Sequence, residues 1–367
     1  YDSLSGERGI FSREASTNKA KENGRRDTKR SDGKTWEYGT NPCSEIILRP
    51  NQFCNLTEVM VRSSDTLEDL KNKVRLATIL GTYQSTLTDF KYLRKRWQLN
   101  TEEERLLGVS LTGIMDSLLT NGKAYKDVES GLKETLTTLK NVAIETNKEF
   151  ADKLGINVSA AITCVKPSGT VSQLTDTASG IHSRHSEYYI RRVRGDMKDK
   201  LTQFLRDSGV SFEHAINGFE DAEQKKPIYN DNMGVFAFPI KSPDNCVTRD
   251  DEVAIDQLKL WLSYYRYWCE HKPSVTVTVR EDEWLTVAAW VYEHFDEMSG
   301  ISFLPYDGGK YTQAPYEAVD KQTYEQLLKN TPTQIEWSAL SQYEKEDETK
   351  SSQEFACTSD YCEVVDI

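Results

Sequence analysis

The chain has 367 residues, a formal net charge of −12, 37% hydrophobic and 10% aromatic residues. That length suits one large domain or two ordinary ones. The acidic balance argues against general nucleic-acid binding, and the apolar content excludes global disorder. No run approaches the roughly 20 apolar residues of a spanning helix, and the first ten residues lack the apolar stretch of a signal peptide. The expectation is a cytoplasmic protein with no membrane and no direct nucleic-acid partner.

In chain order, residues 12–34 are polar and charged with almost no apolar periodicity, which predicts a loop or linker. Phe53 to Val61 has the aromatic and β-branched content of a strand. Helices are expected from Thr66 to Tyr92, from Glu102 to Thr120 behind a Thr101/Glu104 capping box, and from Tyr125 to Leu154, ended by Gly155. The later part alternates: strand Ala160 to Val165, helix Ile255 to His271, strand Ser274 to Val279, helix Glu283 to Phe295, strand Ile301 to Tyr306, helix Lys321 to Asn330. Such alternation predicts an α/β fold with a largely parallel sheet, either open or closed into a barrel. The charged run 343–350 leads into a terminal segment read as a mobile tail with two thiols.

Seven cysteines stand at 43, 54, 164, 246, 269, 357 and 362. An odd count without an export signal argues against a disulfide scaffold. No Cys-x-x-Cys and no His-Glu-x-x-His occurs, so no metal site is expected; His182 and His185 read as surface or supporting polar residues.

Three constellations carry chemistry. In Asn41-Pro42-Cys43-Ser44-Glu45, an extended backbone would turn Asn41, Cys43 and Glu45 to one face, where an amide, a thiol and a carboxylate converge. The same run also fits a plain polar loop, since thiol reactivity depends on environment. Cys54, eleven residues on, can face the same pocket or pack as a small hydrophobe. Cys357 and Cys362 gain nothing as core residues and suit a dithiol relay. In Cys164-Val-Lys-Pro-Ser-Gly-Thr-Val-Ser, a strand runs into a turn of hydroxyls and amides that can hold phosphate or simply connect strand to helix. Arg191, Arg192 and Arg194 either answer phosphate charge or sit on a solvated face.

Together, NPCSE with QFCNLTEV, CVKPSGTVSQLTDTASGIHSRHSEYYIRRVRGD, SGISFLPYDGGKYTQAPYEA and the terminal CTSDYC resemble the adenosylcobalamin-dependent (class II) ribonucleotide reductases, above all the monomeric ribonucleoside-triphosphate reductase type. The resemblance runs from about Gly6 onward and corresponds to the later part of the family's chain. It implies a ten-stranded α/β barrel, of which this would be the later half, with NPCSE on a central finger loop. Residues 1–40 would lead into that loop, 41–342 would belong to the barrel, and 343–367 would be a redox-active tail.

Carried over by position, Cys43 would be the thiyl radical residue, Glu45 the base on the substrate 3′ hydroxyl, Asn41 a hydrogen-bond partner of the substrate hydroxyls, and Cys54 one of two reducing cysteines. Cys357 and Cys362 would re-reduce that pair and be reduced by thioredoxin or a similar dithiol protein. Pro167, Ser168, Gly169, Thr170 and Ser172 would contact the phosphates of a ribonucleoside triphosphate. The cofactor implied is adenosylcobalamin, keeping its own lower base because no Asp-x-His-x-x-Gly occurs.

The family's second reducing cysteine comes from an earlier barrel strand, and no cysteine precedes Cys43 here. The expectation is therefore a fragment or one piece of a split enzyme, needing the N-terminal part of the barrel as partner. A thiol-bearing interaction module without turnover, and a cysteine hydrolase built on Cys43, are the rival readings.

Overall fold

The computed structural model describes residues 9–27, 29–30, 32–220, 226–306 and 312–345. In chain order the elements are β1 (Gly9–Ile10), α1 (Arg13–Glu22), β2 (Gly39–Thr40), β3 (Ile47–Leu48), β4 (Asn55–Met60), α2 (Leu67–Gln84), α3 (Lys95–Glu104), β5 (Leu107–Thr112), α4 (Val128–Leu154), β6 (Thr163–Cys164), α5 (Val171–Leu174), β7 (Tyr188–Asp196), α6 (Lys200–Asp207), β8 (Phe212–Phe219), β9 (Pro227–Lys241), α7 (Ala254–Tyr267), β10 (Thr276–Val279), α8 (Trp284–Glu293), β11 (Ile301–Pro305), β12 (Tyr316–Ala318) and α9 (Lys321–Asn330). They fall into two compact units, residues 1–184 with 243–306, and residues 185–242 with 307–367.

The first unit holds two three-stranded, mostly parallel sets of strands and a short hairpin. β4, β5 and β6 pair in parallel, as do β10 and β11, with β1 antiparallel on the far edge of β11. A parallel bridge between Val165 and Pro273 joins the two sets, with the Ser274 amide donating to the Val165 carbonyl at 2.8 Å. Alternation sorts the strands by face. Leu107, Val109 and Leu111 of β5, with Val59 and Val61, pack in one core with Leu70 and Val74 of α2 and Leu136 and Leu139 of α4. The opposite face of β5 carries Gly108, Ser110 and Thr112.

Gly108 has a physical reason to be glycine. A Cβ there would lie 2.9 Å from Ile46 Cδ1 and 3.2 Å from Cys164 Sγ, and would run into Leu56 Cδ2. The short antiparallel hairpin β2–β3 thus rests its Ile46 on this inner face at the spot where β5 has no side chain.

Two expectations are corrected. Residues 102–120 do not form a helix: α3 ends at Glu104 with Arg105 in left-handed conformation (φ 45°), and the chain enters β5, all six residues of which are buried. Leu106, Leu107 and Leu111 fit a helical stripe and a doubly covered strand equally well, and covering on both faces decides for the strand. Residues 12–34 are not all loop: α1 is capped by Ser12 and buries Ala15, Ser16, Lys19 and Ala20, small or long-stemmed residues that leave little hydrophobic signal.

The second unit holds a four-stranded antiparallel sheet in the order β12-β7-β9-β8, which the sequence reading did not foresee. Arg191, Arg192 and Arg194 all lie on β7; Arg192 pairs with Glu317 at 2.6 Å and Arg191 stacks over Tyr316. Among the described residues no helix is long and apolar enough to cross a membrane.

Candidate active site

The loop joining β2 to β3 is a closed turn. The Asn41 side-chain oxygen accepts from the Ile46 amide at 3.0 Å, and the Ser44 amide donates to the Asn41 carbonyl at 2.9 Å. Ser44 takes a left-handed conformation (φ 67°), which costs about 1 kcal/mol or more for a side chain with a Cβ. This departs from the expected extended run. The turn separates what alternation would have aligned: Cys43 is exposed, while Glu45 is buried at 2% exposure.

The base of the hairpin is fixed by buried polar groups. Arg26 forks onto Glu104, at 3.0 Å through Nε and 2.9 Å through Nη2, and its Nη1 donates to the Ile47 carbonyl at 2.9 Å. Gln52 bridges the fork to Arg49 by accepting from the Arg49 amide at 3.1 Å. His271 supports the other side: its Nδ1 accepts from the Ile47 amide (3.2 Å), so its Nε2 donates to the Leu107 carbonyl (2.9 Å). Burial holds the His271 pKa down at about 3, which keeps the neutral tautomer these bonds need.

At the tip, Lys272 is fully buried; its Nζ donates to Ser44 Oγ at 3.1 Å and its amide to the Glu45 carbonyl at 3.2 Å. Burial drives the Lys272 pKa down to about 7 against the opposing pull of Glu45. Glu45 Oε2 is buried with no hydrogen-bond partner among the described residues. A carboxylate oxygen so placed is costly unless a ligand completes it.

Cys54 is half-buried beside Leu106, Ala160 and Ala161. Burial, and then the Glu45 charge, push its thiol pKa well up. Cys164 is buried and shifted the same way by burial, Glu45 and Cys54. The structure therefore groups Glu45, Cys54, Cys164 and Lys272. The five described cysteines, 43, 54, 164, 246 and 269, form no disulfide, and no described cluster of three or more His, Cys, Asp or Glu is placed to hold a metal ion. Cys357 and Cys362 lie outside the described residues.

The Pro167–Ser172 turn is differently built. Ser168 is left-handed (φ 54°) and buried, Gly169 and Thr170 are exposed, and Pro167 is half-buried. The Ser172 hydroxyl is consumed internally, on the Ser168 carbonyl and on Ser179 Oγ at 2.8 Å. Ser168 Oγ is buried with no partner among the described residues. Behind the turn, Arg184 forks onto Asp116 with two 2.8 Å bonds, and Asp116 accepts from the Ala178 amide at 2.9 Å. His182 uses both ring nitrogens, on the Ser179 carbonyl and the Thr276 amide.

Sequence reasoning picked out Asn41, Cys43, Glu45 and Cys54 but missed Arg26, Glu104, His271 and Lys272. The available signal was three consecutive polar residues, Glu270-His271-Lys272, between an apolar helix and the strand that follows.

At the free edge of β4, α2 exposes Leu76, Leu80 and Tyr83, and Leu87 follows it; with Leu56 and Met60 they line a groove of about 1010 Å³. No cysteine lines it.

Residues 23–159 match the ribonucleotide reductase barrel domain. The chain is 30% identical over 311 residues to the adenosylcobalamin-dependent ribonucleoside-triphosphate reductase of Lactobacillus gasseri, and 30% over 313 residues to that of Lactobacillus acidophilus; both alignments take in 78% of this chain. It spans about 40% of the length of these relatives. A crystal structure of a B12-dependent (class II) ribonucleotide reductase superposes with a TM-score of 0.73 at 26% identity, covering 94% of this chain and 49% of that one. Residues 23–159, which hold the pinned β2–β3 hairpin with the Asn41–Glu45 turn at its tip and strands β4 and β5, are thus similar to the barrel domain of the ribonucleotide reductases.

Proposed function

We propose that this chain supplies the catalytic hairpin and later half of a ten-stranded barrel that reduces ribonucleotides, as triphosphates, to 2′-deoxyribonucleotides, and that the β2–β3 hairpin is its central finger. The observation that carries this is the pair at the loop tip: an exposed Cys43 thiol and, two residues on, a buried Glu45 carboxylate with one oxygen unpartnered. That oxygen is suited to accept the proton of a ribose 3′ hydroxyl. The Asn41 amide nitrogen is available to donate to a neighbouring hydroxyl while its oxygen closes the turn.

Cys43, as a thiyl, takes the 3′ hydrogen atom and gives it back to C3′ at the end; the 2′ hydroxyl takes up a proton and leaves as water. Cys54 and a second thiol supply two electrons and two protons as they close to a disulfide. Burial keeps Cys54 protonated until it is needed. Cys357 and Cys362 then reopen that disulfide and are themselves reduced by thioredoxin or a similar dithiol protein. Ser168, with its buried unpartnered hydroxyl, and exposed Gly169 and Thr170 face the substrate phosphates with Pro167 shaping the turn; Ser172 acts by holding the turn closed.

The chemistry that adenosylcobalamin supplies when bound is homolysis of a cobalt–carbon bond, a one-electron oxidising equivalent for the Cys43 thiol. Cys43 is the exposed group that such a cofactor would act on, and His182 and His271 keep both ring nitrogens within the fold. The groove along β4 is taken by a further strand and helix of the same barrel, from the part of those relatives' length that these 367 residues do not span. The reaction is soluble and cytoplasmic.

The test is anaerobic turnover of a ribonucleoside triphosphate with adenosylcobalamin and a dithiol, using this chain combined with the preceding half of the barrel. Deoxynucleotide should form, Cys43→Ser should form none, and Glu45→Gln should lose about 10²–10⁴ in rate. Turnover by Cys43→Ser at the unsubstituted rate would sink the assignment.

A further inference from the structure

Lys272 takes no part in that chemistry, yet it is a fully buried cation with its Nζ on the one residue that separates Cys43 from Glu45. Burying an ammonium costs several kcal/mol unless it is paired, and a lysine whose only use was packing would be replaced by an apolar chain at no loss. The surroundings are shaped around it: a Cβ at Gly300 would collide with Ser44 Oγ and come within 3.1 Å of Lys272 Nζ. Backbone bonds run the same way, from the Lys272 amide to the Glu45 carbonyl and from the Val165 amide to the Lys272 carbonyl.

We propose that Lys272 is the positioning residue of the Asn41–Glu45 turn: its ammonium, donating to Ser44 Oγ beneath Gly300, holds the left-handed Ser44 that turns Cys43 outward and Glu45 inward. This rests on the reading of that turn as the radical-bearing loop. The groups that act on Lys272 are Glu45 from the turn, Cys164 from β6 and Cys269 after α7. Both thiols are pushed up by burial and stay protonated near neutrality. His271, next in the chain, titrates at about 3 and stays neutral. Near pH 7, then, Lys272 is the member of this set that changes charge; in an opening of the turn that leaves Lys272 buried, only the closed turn offers the ammonium Ser44 and Glu45, so the turn is held firmly below that pH and loosely above it, whereas global unfolding, which hydrates Lys272, has the opposite dependence.

Hydrogen exchange read by mass spectrometry on the 367-residue chain tests this, with protection of residues 41–49 corrected for intrinsic exchange between pH 6 and 8.5. The unsubstituted chain should lose protection across pH 7. Lys272→Met should exchange about tenfold faster at pH 6, show no inflection, and keep or raise its thermal midpoint, because an apolar isostere relieves a buried charge. A merely structural lysine would lower midpoint and protection together, without a pH inflection.

Unchanged protection in folded Lys272→Met, or a flat profile in the unsubstituted chain, would overturn the assignment. Should Lys272→Met not fold, Ser44→Ala decides: about threefold faster exchange of the turn at pH 6 supports it, and an unchanged rate overturns it. The readout needs no turnover. A flat profile in an active reductase sinks only the positioning role, and an inflection at pH 7 in an inactive one sinks only the reductase reading.

Discussion

Ser44 and Ser168 are both left-handed non-glycine residues at the tip of a turn on the first unit, and their surroundings differ in kind. The Ser44 turn is held from outside, by Lys272 at its tip and by His271 and the Arg26–Glu104 fork at its base, groups from distant parts of the chain. The Ser168 turn is closed largely by its own neighbours, with Ser172 folding back on the Ser168 carbonyl and the Arg184–Asp116 fork securing only the return segment. An externally braced turn can be strained and still leave a carboxylate open; a self-closed turn spends its polar groups on its own shape. The first arrangement suits chemistry at one defined atom, the second a contact with something broad and charged.

The two turns should differ in their response to pH. Lys272 titrates at about 7 when folded and near 10.5 when unfolded, so above pH 7 the unfolded chain binds more protons and stability rises with pH. Relative to Lys272→Met, the unsubstituted chain should gain stability from pH 7 to 8.5 in denaturant titrations, with a slope that climbs towards about 1.4 kcal/mol per pH unit. An identical pH slope in both proteins would mean that Lys272 does not change charge near pH 7 in the folded chain, and the pH dependence expected of the first turn would go with it.

Breaking the brace at its base comes next. Arg26→Met strips buried Glu104 of its fork, leaving it the Gln52 amide and Arg49 at 3.9 Å, and should cost about 3 kcal/mol. Exchange protection should fall at residues 39–52 and hold at 167–180. Equal loss at both turns would show that they share one cooperative unit.

Gly108→Ala pushes a methyl group against Ile46 and Leu56 and should cost about 1–3 kcal/mol, again with the hairpin losing protection first. The smallest and most direct comparison substitutes the two serines. Ser168→Gly relieves a left-handed backbone and a buried unpartnered hydroxyl, and should raise stability by about 0.5–1 kcal/mol. Ser44→Gly gains the same relief but loses the bond from Lys272, and should lower stability by about 0.5–1 kcal/mol. Shifts of the same sign would erase the distinction.

Much of this was legible in the sequence. β4, β10 and β11 showed β-branched and aromatic runs, and α2 and α4 showed helical stripes with capping residues at their ends, as local chemistry predicts. β5 was not, because a strand buried on both faces has no alternation to read. α1 was not, because what it buries is alanine, serine and a lysine stem. Asn41, Cys43, Glu45 and Cys54 could be picked out by residue type, but their geometry could not. It depends on a left-handed serine, and on a lysine 228 residues away that local sequence does not connect to it.

β4 pairs on one side only among the described residues, and that makes it a checkpoint for assembly. A strand added to its open edge must match an alternation in which Leu56, Glu58 and Met60 face inward and Thr57 and Val59 face the helices. A slip of one residue would turn every side chain of the newcomer to the wrong face. The register β4 already shares with β5, Leu56 opposite Gly108 and Glu58 opposite Ser110, therefore acts as a template. It passes the position of the β2–β3 hairpin outward, so that a strand added in the wrong register would be rejected for its packing.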